Sequence, residues 1–278
     1  MRFVTKPYLL LLLLWGLLLP ATGRSDNAAL PMRPDTAAIV FSGQESMHYA
    51  ISWSGGIKIG DLFISVEPDK QQQGCFTIRV RVSDYGLFRL FYPVDDSFVT
   101  LVCGPQKLPQ RYEVHQKEGR GRETRRLTLY DQEKGQILYR RNNEQVQEFR
   151  VSGPVYNEFA AFVITRTLAF RPGARVVVPT FADKKRNLVE VILEGREKRR
   201  TIFGPRQTLR FLPRLTFKGL YDKEGDTVIW LSDDVCRIPV FIRSRIRIGS
   251  LSASLVEYAN PACPETRIVA QPLRIEGD

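Results

Sequence analysis

Two pairs of adjacent carboxylates are the residues best suited to acid–base chemistry in this chain. They are Asp95-Asp96 and Asp233-Asp234. Two carboxylates can divide the acid and base roles when their environments hold their pKa values apart. Adjacent residues of a strand, however, point to opposite faces. We therefore favour a structural interpretation, in which these carboxylates form turns or pair with arginines, as Asp234 would with Arg237.

Other catalytic or metal-binding patterns are scarce. The chain has only two histidines, His48 and His115, and both fall in alternating patterns typical of strands. A protein metal site normally takes three or four converging ligands. Neither a GxSxG nucleophile turn nor a GxxxxGK[ST] phosphate loop occurs in the sequence. We therefore expect no enzymatic activity, no bound metal and no cofactor.

Residues 1–23 have the three-part pattern of a secretory signal peptide. Arg2 and Lys6 make the start positive, Tyr8 to Leu19 is a leucine-rich run, and Ala21-Thr22-Gly23 supplies small residues for cleavage. The run is about a dozen residues long, whereas a spanning helix needs about 20. A retained anchor is therefore the less favoured alternative. We expect a periplasmic protein with no transmembrane span after processing.

The cysteines indicate disulfides in that oxidising compartment. There are four of them, and none forms a CxxC pair. Four cysteines allow three connectivities, among which strand register can choose. Folding the chain about Gly249-Ser250 sets Cys236 opposite Cys263, and folding it about Phe88-Arg89-Leu90 sets Cys75 opposite Cys103. The predicted bridges are therefore Cys75–Cys103 and Cys236–Cys263.

The charge of the chain is strongly positive. Lys and Arg number 41 against 30 Asp and Glu, which gives a net charge of +11. A basic protein favours anionic partners, and export argues against nucleic acid. The expected partners are therefore a lipid or an anionic envelope polymer. The alternative is that the basic side chains only keep the surface soluble.

Alternation of apolar and polar residues dominates from position 45 onwards. Met47, Tyr49, Ile51 and Trp53, for example, share one face of a predicted strand. Many such strands at close spacing predict a mainly β fold, with a strongly curved antiparallel sheet or open barrel. Residues 24–44 lack periodicity and are predicted to be a flexible lead-in. Residues 45–278 are predicted to form a single β-rich domain.

The segment Pro154–Leu168 departs from this alternation. Proline near its start suits a helix entry, and its apolar residues surround a helical cylinder, which is typical of a buried helix. We expect the sheet to wrap around this helix, with Phe159, Phe162 and Val163 buried against the concave face. Another strand is the alternative.

The segments His48–Gly60 and Trp230–Val240 carry two longer motifs. The first is a Tyr-x-x-x-Trp strand followed by a glycine turn, and the second is Trp-x-x-x-Asp-x-x-x-x-Pro, with a Gly-Ser hairpin after it. Together they resemble the bacterial domain-of-unknown-function 3108 family over about residues 46–257. The resemblance implies an exported protein and names no reaction.

These observations favour a non-enzymatic binding or carrier module for an apolar or amphipathic molecule of the cell envelope, because an open curved sheet leaves an apolar cleft. The residues expected to line that cavity are Trp53, Tyr156, Phe159, Phe162, Val163 and Trp230. The second hypothesis is a structural or assembly factor that contacts another envelope protein. An envelope hydrolase is the third and least supported.

Overall fold

The computed structural model describes residues 29–54, 56–84, 93–119, 121–171, 173–215, 227–245 and 249–265. The predicted signal peptide and the predicted turn at Phe88-Arg89-Leu90 lie outside these described residues. Among the described helices, none is both long enough and apolar enough to cross a membrane.

Fourteen strands in the described ranges form one antiparallel sheet in the order β8-β7-β6-β5-β4-β3-β2-β1-β14-β13-β12-β11-β10-β9. Consecutive strands pair as hairpins, and the pairing of β1 with β14 joins the two halves. The strands are β1 Glu45–Trp53, β2 Ile57–Pro68, β3 Phe76–Asp84, β4 Asp95–Cys103, β5 Leu108–Glu118, β6 Arg122–Asp131, β7 Gln136–Arg141, β8 Gln147–Arg150, β9 Arg175–Ala182, β10 Lys185–Thr201, β11 Gly204–Leu215, β12 Thr227–Ser232, β13 Pro239–Arg245 and β14 Ser250–Ala259.

One face of this sheet supplies much of the apolar core. Val80, Phe98 and Val114 lie opposite one another on three neighbouring strands, and all three are buried. Because successive side chains of a strand point to opposite faces, the residues between them lie on the other face. We call the face of Val80, Phe98 and Val114 the inner face and the opposite one the outer face.

The two edge strands, β8 and β9, do not pair with each other in the described sheet, so the sheet is not closed by hydrogen bonds. They approach through side chains instead, since the ring centroids of Phe149 and Phe181 are 5.5 Å apart. Tyr156 adds a short parallel bridge to β9, donating its N–H to the Pro179 carbonyl at 2.9 Å and accepting from the Phe181 N–H at 2.8 Å. The architecture is therefore barrel-like, with an open ladder.

The predicted helix is present as Glu158–Thr167, labelled α2 because a shorter helix, α1 (Pro34–Val40), precedes it. The helix contacts inner-face residues of the sheet, and the rings of Phe159 and Phe98 are 4.8 Å apart. Val163 is fully buried, whereas Phe159 and Phe162 are only partly buried. That the sheet wraps around the helix stays a prediction.

Within the predicted flexible lead-in of residues 24–44, Pro34–Val40 forms the helix α1. It packs against α2, and Val40 and Thr36 are both buried. Met32 also forms an isolated antiparallel bridge with Leu168. A seven-residue helix has too few turns to show periodicity in the sequence, and its order comes from tertiary packing.

Strand boundaries bring further corrections. The sequence pattern predicts a short strand at Thr201–Phe203, which is wrong as a separate element, because Thr201 ends β10 and the next two residues form the turn into β11. The short edge strand β8 was not predicted at all, since four half-exposed residues carry little alternation. The sequence pattern also predicts a strand at Ile238–Ile248, which is observed as the shorter β13, while residues 246–248 lie outside the described ranges.

Both predicted disulfides are present. The first follows from register, since Phe76 faces Val102 and the next pair along the ladder is Cys75 and Cys103. For the second, the predicted register is wrong. Arg245 faces Ser250, so the hairpin is centred two residues before the predicted turn. Cys236 and Cys263 therefore meet beyond the ends of the paired strands, with Cα atoms 5.7 Å apart.

Asn157 joins the start of α2 to the sheet. Its side-chain oxygen accepts from the Ala160 N–H at 2.8 Å and its amide donates to the Thr100 hydroxyl at 2.9 Å, both in a fully buried position. We expect Asn157→Ala to lower the free energy of unfolding by about 2–3 kcal/mol, because a helix cap and a buried hydrogen bond are lost together. Urea unfolding measures this, with the exposed Asn143→Ala as control. A loss no larger than that of the control would contradict the expectation.

Candidate functional site

The first acidic pair is structural. Asp95 is exposed and its carboxylate lies 3.2 Å from the Arg81 guanidinium. Asp96 is buried and accepts from the backbone N–H of Lys117 and the side-chain amide of Gln116, each at 3.0 Å. The two carboxylates point to opposite faces, as the sequence predicts, and so cannot act together on one substrate.

The second pair organises a turn. One carboxylate oxygen of Asp234 accepts from the N–H groups of Cys236 at 2.9 Å and Arg237 at 3.0 Å. Asp233 instead forms an ion pair with Arg196 at 2.6 Å. The expected pairing of Asp234 with Arg237 therefore corresponds to a backbone contact, and no ion pair to the Arg237 guanidinium is found in the described part of the chain.

His48 lies between two carboxylates on the outer face. Its Nε2 is 2.9 Å from Asp61 and its Nδ1 is 3.5 Å from Glu257, and its ring stacks on Phe63 with centroids 4.3 Å apart. Although burial opposes it, hydrogen bonds from His48 and Lys58 hold the pKa of Asp61 below its ordinary value. Asp61 and Glu257 contact different nitrogens of the His48 ring, so the ring separates them and they cannot bind one metal ion together. Among the described residues, no cluster of three or more His, Cys, Asp or Glu side chains could hold a metal ion.

The six residues expected to line a cavity do not form one site. Tyr156 and Val163 are buried in the core, whereas Trp53 is half-buried in β1. Trp230 donates its indole N–H to Glu197 at 2.5 Å and stacks with the Arg199 guanidinium, 4.5 Å from its ring centroid. None of the six lines either of the two pockets described next.

Those two pockets adjoin on the outer face and share Ser97 and Val99. Their volumes are about 870 Å³ and about 680 Å³. We call the combined surface the outer groove. Its outer-face lining includes Ser46, His48, Phe63, Ser65, Arg79, Arg81, Ser97, Val99, Arg111, Glu113, His115, Arg125, Leu127, Arg140 and Glu257.

Strand register brings these side chains together. Arg79 lies opposite Val99, Val99 opposite Glu113, Glu113 opposite Leu127, and Leu127 opposite Arg140, so that the five residues form one row across β3–β7. Paired residues of an antiparallel ladder share a face. The row is therefore a continuous surface built from five separate strands.

The groove is rich in arginine and its ion pairs are exposed. Arg111 contacts Glu113 at 2.6 Å, and Arg125 contacts Glu123 at 2.7 Å. Exposed pairs of this kind contribute only about 0–1 kcal/mol, so an anionic ligand can replace a carboxylate partner at little cost. Arg140 is exposed and forms no ion pair within the described residues.

Apolar side chains lie among these charges. Phe63 is 42% exposed, and Val99 and Leu127 are half-buried on the same face, on β4 and β6, with Glu113 of β5 between them. The groove therefore presents separate apolar side chains among its charged groups, which suits an amphipathic anion. Sequence reasoning missed this site, although arginines at every second position, as at Arg79 and Arg81, signal one charged face of a strand.

The fold defines a class of protein. It is similar to the crystal structure of a beta-barrel-like protein of domain of unknown function DUF1849 from Brucella abortus, with a TM-score of 0.53 and 9% sequence identity. The match covers 78% of this chain and 98% of that chain. At such low identity the likeness shows the fold alone. The protein is thus a mainly β, barrel-like protein.

The family follows from the sequence. The model of the family described as "Protein of unknown function (DUF3108)" matches residues 47–256, well over half of the 278 residues. The chain therefore belongs to the DUF3108 family, and the resemblance carried by the two motifs is confirmed. No curated protein matches it.

Proposed function

We propose that this protein is a non-enzymatic binding module of the cell envelope that holds an anionic, amphipathic molecule in the outer groove. The observation that carries the proposal is the pair of adjoining pockets, in which arginines from β3, β5, β6 and β7 lie among the apolar side chains of Phe63, Val99 and Leu127. Guanidinium groups suit phosphate and carboxylate groups, and the apolar side chains offer contacts to an acyl chain.

The interior is a less favourable place for such a ligand. Around α2 the core contains polar groups that are already satisfied, such as the Tyr156 hydroxyl, which donates to the Gln106 carbonyl at 2.7 Å. An acyl chain placed there would break these hydrogen bonds, and unsatisfied buried groups are costly. A ligand in the outer groove would not break these buried hydrogen bonds.

A periplasmic location is part of the proposal. Its support is the signal-peptide pattern of residues 1–23 together with two disulfides, since disulfides persist mainly in oxidising compartments. A basic surface in that compartment meets acidic lipids and anionic polymers.

A structural or assembly factor is the second candidate, and the edge strand β9 favours it. Its residues Arg175–Val178 pair with β10 on one side and have no ladder partner on the other within the described chain. Val177 is exposed there. An exposed edge of this kind can accept a strand from a partner protein.

Charge reversal tests the groove. In the triple variant Arg79→Glu, Arg111→Glu, Arg140→Glu, we expect the Kd for monomeric dihexanoylphosphatidylglycerol to rise at least about 100-fold, since each charge contributes about 1 kcal/mol. Titration calorimetry measures this, with the zwitterionic phosphatidylcholine analogue expected to bind more weakly to the natural chain.

The matched control reverses the same number of exposed charges elsewhere. It is Arg150→Glu, Arg171→Glu, Arg175→Glu, for which we expect a Kd within about threefold of the natural chain. Equal loss of binding in both triple variants would show that net charge, not the groove, attracts the lipid. Full binding in the groove variant would refute the proposal.

A further inference from the structure

Arg237 is a buried cation, and one of its guanidinium nitrogens has no hydrogen-bond partner in the described part of the chain. It is only 8% exposed, and its Nε, which is shielded from solvent, has no hydrogen-bond partner among the described residues. Buried charges in proteins are normally paired and hydrogen-bonded. The described residues therefore supply neither an acceptor for Nε nor an ion pair for this guanidinium.

The backbone holds this side chain in place. Arg237 has a φ of 49°, in the left-handed region that side chains other than glycine seldom adopt. Its N–H donates to Asp234 at 3.0 Å and its carbonyl accepts from Arg166 Nε at 2.9 Å. The preceding residue, Cys236, is in a disulfide. A strained backbone conformation that several surrounding contacts hold in place is often found at functional positions.

The charges around Arg237 leave a positive excess. Burial lowers the pKa of its guanidinium, and the neighbouring Arg33 and Arg196 lower it further, while Asp233 and Asp234 act in the opposite direction. Arg196 is ion-paired with Asp233, and the Arg33 N–H donates to the carbonyl of Thr167, the residue after Arg166. Three guanidiniums and two carboxylates leave this cluster with a net charge of about +1. One oxygen of Asp234 already accepts from two N–H groups and the Ser232 hydroxyl.

We propose that Arg237, with Arg33 and Arg196, forms a binding site for a phosphate group. A guanidinium offers a planar fork of donors that matches phosphate oxygens, and three such groups suit a tetrahedral anion better than a planar carboxylate. A phosphodiester carries the single negative charge that the cluster lacks. The phosphate comes from solution or from a lipid head group, and both share this chemistry.

Titration of the full chain with inorganic phosphate tests the site, with chloride adjusted to keep the ionic strength constant. We expect phosphate to bind, and the Kd to rise at least about tenfold in Arg237→Gln and in Arg33→Gln. Arg175→Gln, an exposed arginine of β9, is the control and is expected to bind as the natural chain does. Parallel titration with glycerophosphoglycerol distinguishes a head group from free phosphate, because tighter binding of one of the two identifies the source.

If Arg237→Gln does not fold, Arg33→Gln and Arg196→Gln carry the test, since both change side chains that are less buried. Phosphate affinity within about twofold of the natural chain in both would overturn the proposal. Failure of the natural chain to bind either probe below about 10 mM would do the same. The groove variant with Arg79, Arg111 and Arg140 reversed is expected to keep phosphate binding, so that this site and the outer groove succeed or fail separately.

Discussion

Arg166→Met is expected to lower the free energy of unfolding by about 3–5 kcal/mol, the cost of leaving a buried charge without its partner. Arg166 and Glu45 are each 1% exposed, and their two contacts are 2.6 and 2.8 Å long. Arg166 also donates to the carbonyls of Arg237 at 2.9 Å and Cys236 at 3.3 Å. Its loss would therefore leave the buried Glu45 carboxylate without its cation and remove a donor from each of two carbonyls.

Arg166 remains charged under ordinary conditions. Although burial opposes the charge, Glu45 raises the pKa of Arg166 above its ordinary value. The Tyr258 hydroxyl donates to Glu45 at 2.8 Å and keeps the carboxylate in the network. Methionine retains the length of the side chain without its charge, so that Arg166→Met tests the ion pair with little loss of volume.

Urea unfolding of Arg166→Met measures this effect against Arg171→Met, which changes an exposed arginine. The double variant Arg166→Met, Glu45→Met is expected to be more stable than Arg166→Met alone, because it also removes the unpaired carboxylate. Loss of less than about 1 kcal/mol in the single variant would show that the pair contributes little.

Removing the Cys236–Cys263 disulfide, as Cys236→Ala, Cys263→Ala, is expected to cost about 4–5 kcal/mol. Closing a loop with a sequence separation of 27 is worth about 3–4 kcal/mol in the chain-entropy model. The remainder comes from packing, since both cysteines are fully buried and their removal leaves a small cavity.

The other disulfide is the matched comparison. Cys75–Cys103 has a similar sequence separation, 28, but lies nearer the surface. We therefore expect Cys75→Ala, Cys103→Ala to cost about 3 kcal/mol. Thermal and urea unfolding of the two double variants under oxidising conditions give the comparison. An equal or larger loss of unfolding free energy in the Cys75–Cys103 variant would show that the burial of Cys236 and Cys263 near Arg166 adds nothing to stability.

Both expected effects arise at one junction of the fold. The turn that contains Cys236 and Arg237 contacts α2 through Arg166, and Arg166 contacts β1 through Glu45. The same turn carries the proposed phosphate site. Stability and binding are therefore expected to be linked here, so that phosphate raises the midpoint of thermal unfolding, and by more as its concentration increases relative to its Kd.

Local sequence was enough to predict much of the framework. The alternation around Tyr49 predicted a strand, and the apolar cylinder of Pro154–Leu168 predicted a helix, because both patterns follow from repeats within one element. The Cys75–Cys103 bridge was also within reach, since a single hairpin register sets it. The Cys236–Cys263 pairing was predicted correctly from a wrong strand register, because the loops beyond the ends of the strands bring the two cysteines together.

The sequence by itself indicated most of the strands, the helix α2 and the family of the chain, because each depends on neighbouring residues or on short motifs. Only the tertiary structure decided which side chains meet. Arg166 and Glu45 are 121 residues apart, and the outer groove joins side chains from several strands. Such contacts depend on register and twist across the whole sheet, where a shift of one residue moves every side chain to the other face.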